Sequence, residues 1–194
     1  MEIPDTVDTC LTPLAPSLLA DRKLLPSNLS RQFDSVLDHF RNNSGNIVLF
    51  TGASAFAFTA AANLLGERAG RDVYHVDLTK IVSEYIGETE KNLLQVFELA
   101  EKRRYILLFD EADSLFGKRT EVRDSHDGFA NVEVSYLLKR FEDHPELVII
   151  TTNAREQIDE VLLKATSWQI NLNHPVLHRR LPWWQRFINW FRKR

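Results

Sequence analysis

The sequence predicts an α/β fold in which helices cover both faces of a parallel sheet. Short apolar runs alternate along the chain with stretches of helical period, and this alternation is typical of parallel sheets that are buried on both faces. The chain has 194 residues, of which 44% are hydrophobic and 26% charged, as expected of one globular domain. Its seven glycines and seven prolines are too few for a collagen-like protein or a linker.

The predicted elements follow in a regular order and divide the chain into three segments. Residues 1–26 contain four of the seven prolines and are expected to form an irregular leader; residues 27–175 form the α/β core, and residues 176–194 form a tail. The core begins with a helix that has Ser27 as its N-cap and an apolar stripe of Leu29, Phe33, Val36, Leu37 and Phe40. The predicted strands lie at 46–51, 72–77, 105–109, 147–151 and 168–172, with helices between them that end near 66 and cover 88–102, 129–142 and 159–163.

Charge is unevenly distributed along the chain. The formal net charge of −3 combines a tail of +6, which has no acidic residue, with a body of −9. An acidic body argues against a nucleic-acid partner, and an anionic partner would meet the tail. The single cysteine, Cys10, cannot form an internal disulfide, which favours a reducing, cytoplasmic compartment. The acidic start is unlike a signal peptide. The sequence contains no run of about 18 apolar residues, so it predicts no membrane span.

Polar residues follow two of the predicted strands. The strand at 105–109 is followed by Asp110 and Glu111, and the strand at 147–151 ends in threonine and is followed by Thr152 and Asn153. An apolar strand followed by Asp-Glu is the Walker B arrangement, in which the Asp holds Mg²⁺ through water and the Glu polarises an attacking water. Asn153 would touch that same water. A solvated strand terminus is the alternative for the two carboxylates.

The first core strand leads into the segment 52–59, GASAFAFT, which has the position and length of a phosphate-binding P-loop. Only Gly52 and Thr59 match the motif, because alanine replaces its second glycine at 57 and phenylalanine replaces its lysine at 58. A phosphate cradle needs converging backbone N–H groups, which glycine permits at low cost, and a cation for the phosphates. Phe56 and Phe58 bring bulk and no charge. A plain apolar turn at the start of a helix is the alternative interpretation.

From about residue 46 to 175 the chain resembles the core of the AAA+ ATPases, in the AAA (FtsH and p97-like) branch with its small stand-alone bacterial members. The segments that carry the resemblance are Gly52 to Thr59, Ser83 to Leu93 (SEYIGETEKNL), Leu108 to Arg119 (LFDEADSLFGKR), Arg123 to Asp127 (RDSHD) and Thr151 to Arg155 (TTNAR). The resemblance implies a P-loop NTPase-like sheet, the large subdomain of an AAA+ protein.

The resemblance also implies roles for individual residues. Asp110 and Glu111 correspond to Walker B, and Asn153 corresponds to sensor 1. The run Tyr85, Ile86 and Gly87 resembles the pore loop that grips a polypeptide in the hexamer channel, although Tyr85 also fits a core aromatic at a helix start. Residues 114–127 would lie near the second pore loop or on a solvated surface.

Three departures from the family pattern weigh against ATP turnover. The lysine and second glycine of the P-loop are missing. The arginine fingers correspond to 163–167, where only Lys164 is basic, and lysine lacks the guanidinium fork that braces two oxygens. Only 19 residues follow Pro175, so we expect the helical lid to be absent or reduced to one helix.

We therefore predict a pseudo-ATPase that acts as a binding, scaffold or assembly subunit, with no cofactor and no metal. In this interpretation Gly52, Thr59 and Asp110 are the remnant of a nucleotide site that Phe56 and Phe58 block. Without Mg²⁺, one of the two Walker B carboxylates is expected to be solvated or to have a hydrogen-bond donor nearby. The alternative is a divergent ATPase that remodels proteins, with ATP or ADP and with Mg²⁺ at Thr59 and Asp110.

The tail is predicted to form a basic amphipathic helix that begins at Pro182. Its apolar arc of roughly 160° consists of Trp183, Trp184, Phe187, Ile188, Trp190 and Phe191. The opposite side carries Arg186, Arg192 and Lys193. This pattern fits three counterparts: an anionic membrane surface at which the protein would be peripheral, a protein partner or self-assembly that can include AAA+ relatives, or the core of the same chain in place of the lid.

Overall fold

The computed structural model describes residues 10–14, 27–42, 46–52, 54–81, 88–110 and 135–173. The strands are β1 (Leu11–Pro13), β2 (Ile47–Thr51), β3 (Val73–Val76), β4 (Ile106–Phe109), β5 (Val148–Thr152) and β6 (Trp168–Asn171). The helices are α1 (Ser27–Arg41), α2 (Ala55–Ala69), α3 (Leu78–Ile81), α4 (Glu88–Arg103), α5, which is described over 135–143, and α6 (Glu160–Ala165), with a 3₁₀ turn at Arg155–Gln157.

The six strands form one sheet in the order β1-β3-β4-β5-β2-β6. Strands β2 to β6 are parallel to one another, and β1 runs antiparallel to β3 at one edge. Consecutive strands are joined by helices, which parallel pairing requires. The strand β2 is enclosed by the two last strands of the chain, β5 and β6, so the residues after β2 lie among the ends of strands that are distant in sequence.

Helices cover both faces of this sheet because alternate residues of each strand point to opposite sides. Ile47 and Leu49 pack in a cluster with buried residues of α4, α5 and α6. Val48 and Phe50 pack in the other cluster, with α1 and α2. The apolar stripe of α1 is buried as its spacing predicts, except that Phe40 is only partly buried. The predicted α/β fold, a largely parallel sheet between two helical layers, is therefore confirmed.

Two elements differ from the sequence-based expectation. Within the leader that is expected to be irregular, Leu11–Pro13 forms β1, and Leu11 is buried against the core. A strand of three residues that ends in proline is too short to show a periodic pattern, which explains why the sequence does not reveal it. The helix α2 continues past residue 66 to Ala69 and ends where Gly70 adopts the left-handed conformation, with a φ of 67°.

Within the described part of the chain, no helix has the length and apolar character needed to cross a membrane.

Candidate functional site

The carboxyl ends of β4, β5 and β2 lie side by side, and we call this side of the sheet the carboxyl edge. In parallel α/β sheets, ligands bind at such an edge. Phe109 lies opposite Ile150 in the β4–β5 pair, and Phe50 lies opposite Thr151 in the β5–β2 pair. This register places Asp110 level with Thr151, and the segment after β2 begins two residues beyond Phe50. The edge therefore brings together the two groups of polar residues that the sequence singles out.

Asp110 has a hydrogen-bond donor at this edge. The hydroxyl of Thr151 donates to Oδ1 of Asp110, and the Thr151 side chain is fully buried. The expectation that one of the Walker B carboxylates has a nearby donor is thereby met for Asp110. On the next residue, the hydroxyl oxygen of Thr152 accepts from the backbone N–H of Ala154 and shapes the turn that leaves β5. Asn153, within that turn, is exposed.

The connection between β2 and α2 is short, because β2 ends at Thr51 and α2 begins at Ala55. Ser54 caps α2, and its hydroxyl oxygen accepts from the N–H of Ala57 at 3.3 Å. The N–H of Phe58 donates to the Ser54 carbonyl at 3.1 Å, as in a regular helix. The hydroxyl of Thr59 donates to the Ala55 carbonyl at 3.0 Å. Residues 55–59 are thus the first turns of a capped helix.

The two phenylalanines of this segment lie in different environments. Phe58 is 2% exposed and belongs to the core cluster between α1, α2 and the sheet. A Cβ atom added to Gly52 would lie 3.4 Å from Cε1 of Phe58 and 3.4 Å from Oδ1 of Asn173. The aromatic ring therefore lies against the first residue of the segment. Phe56, by contrast, is 39% exposed.

The described residues of this segment, 52 and 54–59, differ from those of the P-loop motif in the groups that they present. The motif needs backbone N–H groups for the phosphates, a lysine, and a hydroxyl for the metal. Here the N–H groups of Ala57 and Phe58 and the hydroxyl of Thr59 bond within the helix. The lysine position holds a buried ring. Across the described ranges, no three His, Cys, Asp or Glu side chains cluster in a way that could hold a metal ion.

Other predicted site residues lie apart from the edge or outside the described residues. Lys164, the basic residue in the run that the resemblance assigns to the arginine fingers, is exposed and lies 3.8 Å from Glu160 one helical turn away. Glu111, the pore-loop run 85–87 and the tail 176–194 lie outside the described residues.

Sequence reasoning did not identify two contacts that organise the edge. The role of Thr151 depends on strand register, which no local pattern gives. The role of Ser54 has a sequence signal, since a serine directly before an Ala-rich apolar run is a typical helix N-cap. That signal indicates that the helix begins at Ala55, four residues before Thr59 and inside the segment that resembles a P-loop.

Comparison with protein families gives a match over most of the core. Residues 48–175 match the family described as AAA, the ATPase family associated with various cellular activities.

Individual proteins are also similar to this chain. The chain is 30% identical over 116 residues to an uncharacterized AAA family ATPase, y4kL, of Sinorhizobium fredii, a match that covers 59% of this chain and 35% of that protein. It is 32% identical over 117 residues to the ATPase family gene 2 protein of Schizosaccharomyces pombe, which covers 59% of this chain and 14% of that protein. It is 26% identical over 175 residues to spastin of Bos taurus, which covers 87% of this chain and 27% of that protein. The matches thus span about a third or less of each of these relatives.

Proposed function

The chain belongs to the AAA family of ATPases, and from this premise we propose that it is a member that does not hydrolyse ATP and instead acts as a binding or assembly subunit. The observation that carries the proposal is the position of Phe58. This residue stands where the P-loop has its lysine, is 2% exposed, and lies against Gly52. Binding a triphosphate in the family manner would require the ring to leave the core and the first turns of α2 to release their internal hydrogen bonds.

The energetic cost of such a rearrangement supports the proposal. Exposing a buried phenylalanine side chain to water costs about 1.5–3 kcal/mol. The phosphate charge would then lie against a segment without a cation, whereas a lysine in that place neutralises the β- and γ-phosphates. The hydroxyl of Thr59 would also have to give up its bond to the Ala55 carbonyl before it could face a metal. The three changes act together against binding.

The residue at the predicted arginine-finger position also supports the absence of ATP hydrolysis. Lys164 is the only basic residue of the run 163–167 and pairs on the surface with Glu160. An arginine finger is worth about 10³–10⁵ in rate where it acts. A neighbouring copy of this chain would therefore offer a weak substitute at its subunit boundary, so assembly would not restore turnover.

The proposed role as a subunit draws on the tail as the contact segment. Its charge of +6 and its three tryptophans suit an anionic or apolar counterpart, and the two candidates outside the chain are a membrane surface and a protein, including a second copy or an AAA relative. Light scattering of the full chain, alone and mixed with an active AAA relative, tests the assembly role. A chain that stays monomeric in both cases would contradict it.

Calorimetric titration and thermal unfolding of the full chain with Mg²⁺-ATP and Mg²⁺-ADP test whether the chain binds nucleotide. Nucleotide at about 100 times its Kd raises the free energy of unfolding by about 2.7 kcal/mol, which for this chain length corresponds to roughly 5–10 °C in Tm. We expect no binding heat and no shift in Tm. An active AAA ATPase, measured in parallel, shows that the conditions support binding.

A shift in Tm that Asp110→Asn abolishes would overturn the proposal, because it would place nucleotide and metal at the carboxyl edge. Phosphate release that Glu111→Gln abolishes would identify the chain as an active, divergent ATPase, the alternative function. Release that survives Glu111→Gln would belong to a contaminant.

A further inference from the structure

We propose that β6 is a docking strand for a second copy of this chain, so that two β6 strands pair antiparallel and join two sheets into one. This inference goes beyond the proposed function, because it assigns a contact between copies to the sheet itself and does not depend on nucleotide. Three features of β6 support it: its position in the sheet, the direction of its backbone groups and its lack of charge.

The strand β6 lies at one edge of the described sheet. Its neighbour there is β2, at the end of the order β1-β3-β4-β5-β2-β6. The opposite edge is formed by β1, which has only three residues and ends in Pro13. Short edge strands and proline both hinder pairing with another chain. Of the two edges that the described residues form, β6 is therefore the one suited to accept a further strand.

Half of the backbone groups of β6 point away from β2. The N–H of Leu172, just past β6, donates to the Thr51 carbonyl at 2.7 Å. Because successive residues of a strand turn their N–H and C=O groups to opposite sides, those of Gln169 and Asn171 point outward. The side chains of both residues are exposed, whereas Ile170 between them is buried. The outward backbone groups therefore lie at an accessible edge.

An antiparallel pair centred on Ile170 uses all of these outward groups. In this register Gln169 lies opposite Asn171 of the second copy, and Asn171 lies opposite Gln169 of the second copy, each as a hydrogen-bonded pair. The arrangement has a two-fold axis, so both copies contribute the same surface and the assembly closes as a dimer.

The composition of β6 suits pairing with its own copy. A charge on the strand would approach the same charge across the two-fold axis and be repelled. The strand has the sequence WQIN and therefore no charged residue. Oε1 of Gln169 accepts from the guanidinium of Arg155 at 2.7 Å, and Oδ1 of Asn171 accepts from a backbone N–H at 2.9 Å. Each amide keeps its NH₂ donors and a second acceptor site, so the two amides complement each other.

The test compares two double variants that differ at one position. Gln169→Glu with Asn171→Lys places opposite charges face to face in both pairs of the proposed register. Gln169→Glu with Asn171→Glu places like charges there. Both positions are exposed, so far-UV circular dichroism should remain that of the parent. Gln32→Glu, at an exposed position of α1, is the control for a charge added elsewhere.

Sedimentation velocity of the full chain measures the association. Because a pair of four-residue strands buries little surface, we expect a weak dimer that forms within a concentration range of about 5–500 µM. The Glu/Lys variant should have a Kd on the order of tenfold lower than that of the Glu/Glu variant, and Gln32→Glu should match the parent. A parent that stays monomeric over this range, or equal Kd values for the two double variants, would overturn the proposal.

A disulfide experiment tests the register. Gln169→Cys and Asn171→Cys, prepared separately and then mixed under mild oxidation, should form a cross-linked dimer, because the Cα atoms of a hydrogen-bonded pair lie about 5.5 Å apart. Either variant alone should cross-link much less, since identical positions would lie two residues out of register, beyond the roughly 7 Å limit of a disulfide. The native Cys10 is buried, and the parent is the control for it. Equal cross-linking in the mixture and in the separate variants would overturn the proposal.

Discussion

The hydroxyl of Thr151 donates a hydrogen bond to the carboxylate of Asp110, and so joins the end of β5 to the residue that follows β4. The contact arises because Ile150 lies opposite Phe109 in the register of the two strands. One carboxylate oxygen of Asp110 therefore accepts a hydrogen bond from another residue of the chain. The carboxylate at the Walker B position consequently has a structural partner in the fold, independent of any bound metal.

Replacing Thr151 by valine should destabilise the fold, because Thr151 is fully buried and its loss removes the donor from a carboxylate. The expected loss in free energy of unfolding is about 1–3 kcal/mol. Thr151→Ser, which keeps the hydroxyl, is the matched control, and urea unfolding followed by circular dichroism measures both. If Thr151→Val and Thr151→Ser had the same free energy of unfolding, the hydrogen bond would not contribute to stability.

The elements of the fold could be predicted where the apolar residues form a clear pattern, either a continuous run or a helical stripe. In β2 every residue is buried and in α1 one stripe is buried, and both patterns are visible in the sequence. The pairing of Thr151 with Asp110 could not be predicted, since it depends on which strands become neighbours, and that order is set by packing across the whole sheet. The strand β1 was missed for a different reason: Leu11 and Thr12 gain their conformation from pairing with β3 rather than from local preference.

A second prediction concerns the opposite side of the sheet, where Glu146 holds three connections together. Its side chain is 7% exposed and lies 3.3 Å from Arg71, before β3, and 3.1 Å from Arg104, before β4. Glu146→Gln leaves the half-buried Arg71 without its counter-charge and should cost about 2–4 kcal/mol, because breaking a buried ion pair leaves an uncompensated charge. Urea unfolding at neutral pH measures the loss.

Glu160→Gln is the matched control for that substitution. Glu160 forms a surface pair with Lys164, and both side chains are more than three-quarters exposed, at 77% and 79%. Solvent screens such a pair, so the free energy of unfolding should change by less than about 0.5 kcal/mol. Equal losses in the two variants would contradict the assigned difference in burial.

Acid should destabilise the protein through His144. Burial lowers the pKa of His144 from 6.5 to about 4, with Arg140 acting in the same direction and Glu146 opposing it. His144 therefore becomes protonated below pH 6.5 in the unfolded chain, but only below about pH 4 in the folded chain. Stability contributed by the neutral ring is complete above pH 6.5 and is lost as the pH falls towards 4, by up to about 3 kcal/mol.

The measurement compares urea unfolding of the parent and of His144→Leu at several pH values between 7 and 4. The variant removes the titrating ring, which contacts Phe97 edge-on at 5.2 Å, and should show a flatter dependence on pH in this window. Identical slopes in the parent and His144→Leu would show that another group governs the acid response.

Gly66 should not tolerate a side chain, although it lies in a helix. A Cβ atom there would lie 2.4 Å from Cγ2 of Val73 and 2.9 Å from the Arg71 carbonyl oxygen. Gly→Ala in a helix interior normally stabilises by up to about 1 kcal/mol, but overpacking here should reverse the sign and cost about 1–3 kcal/mol. Thermal unfolding measures the change. An increase in Tm for Gly66→Ala would contradict the close approach of α2 to β3.

The last prediction compares the same substitution, phenylalanine to lysine, at a buried and at an exposed position of α2. Phe58→Lys restores the P-loop lysine but places its charge where the native ring is 2% exposed, and should cost at least about 3 kcal/mol. Phe56→Lys makes the same exchange at a position that is 39% exposed and should change stability by less than about 1 kcal/mol. Thermal unfolding with and without Mg²⁺-ATP measures both effects.

Because Phe58 anchors the start of α2 in the core, the lysine should not create nucleotide binding. A Phe58→Lys variant that was as stable as the parent and gained a Tm shift with Mg²⁺-ATP would instead show that the segment can still open into a phosphate cradle.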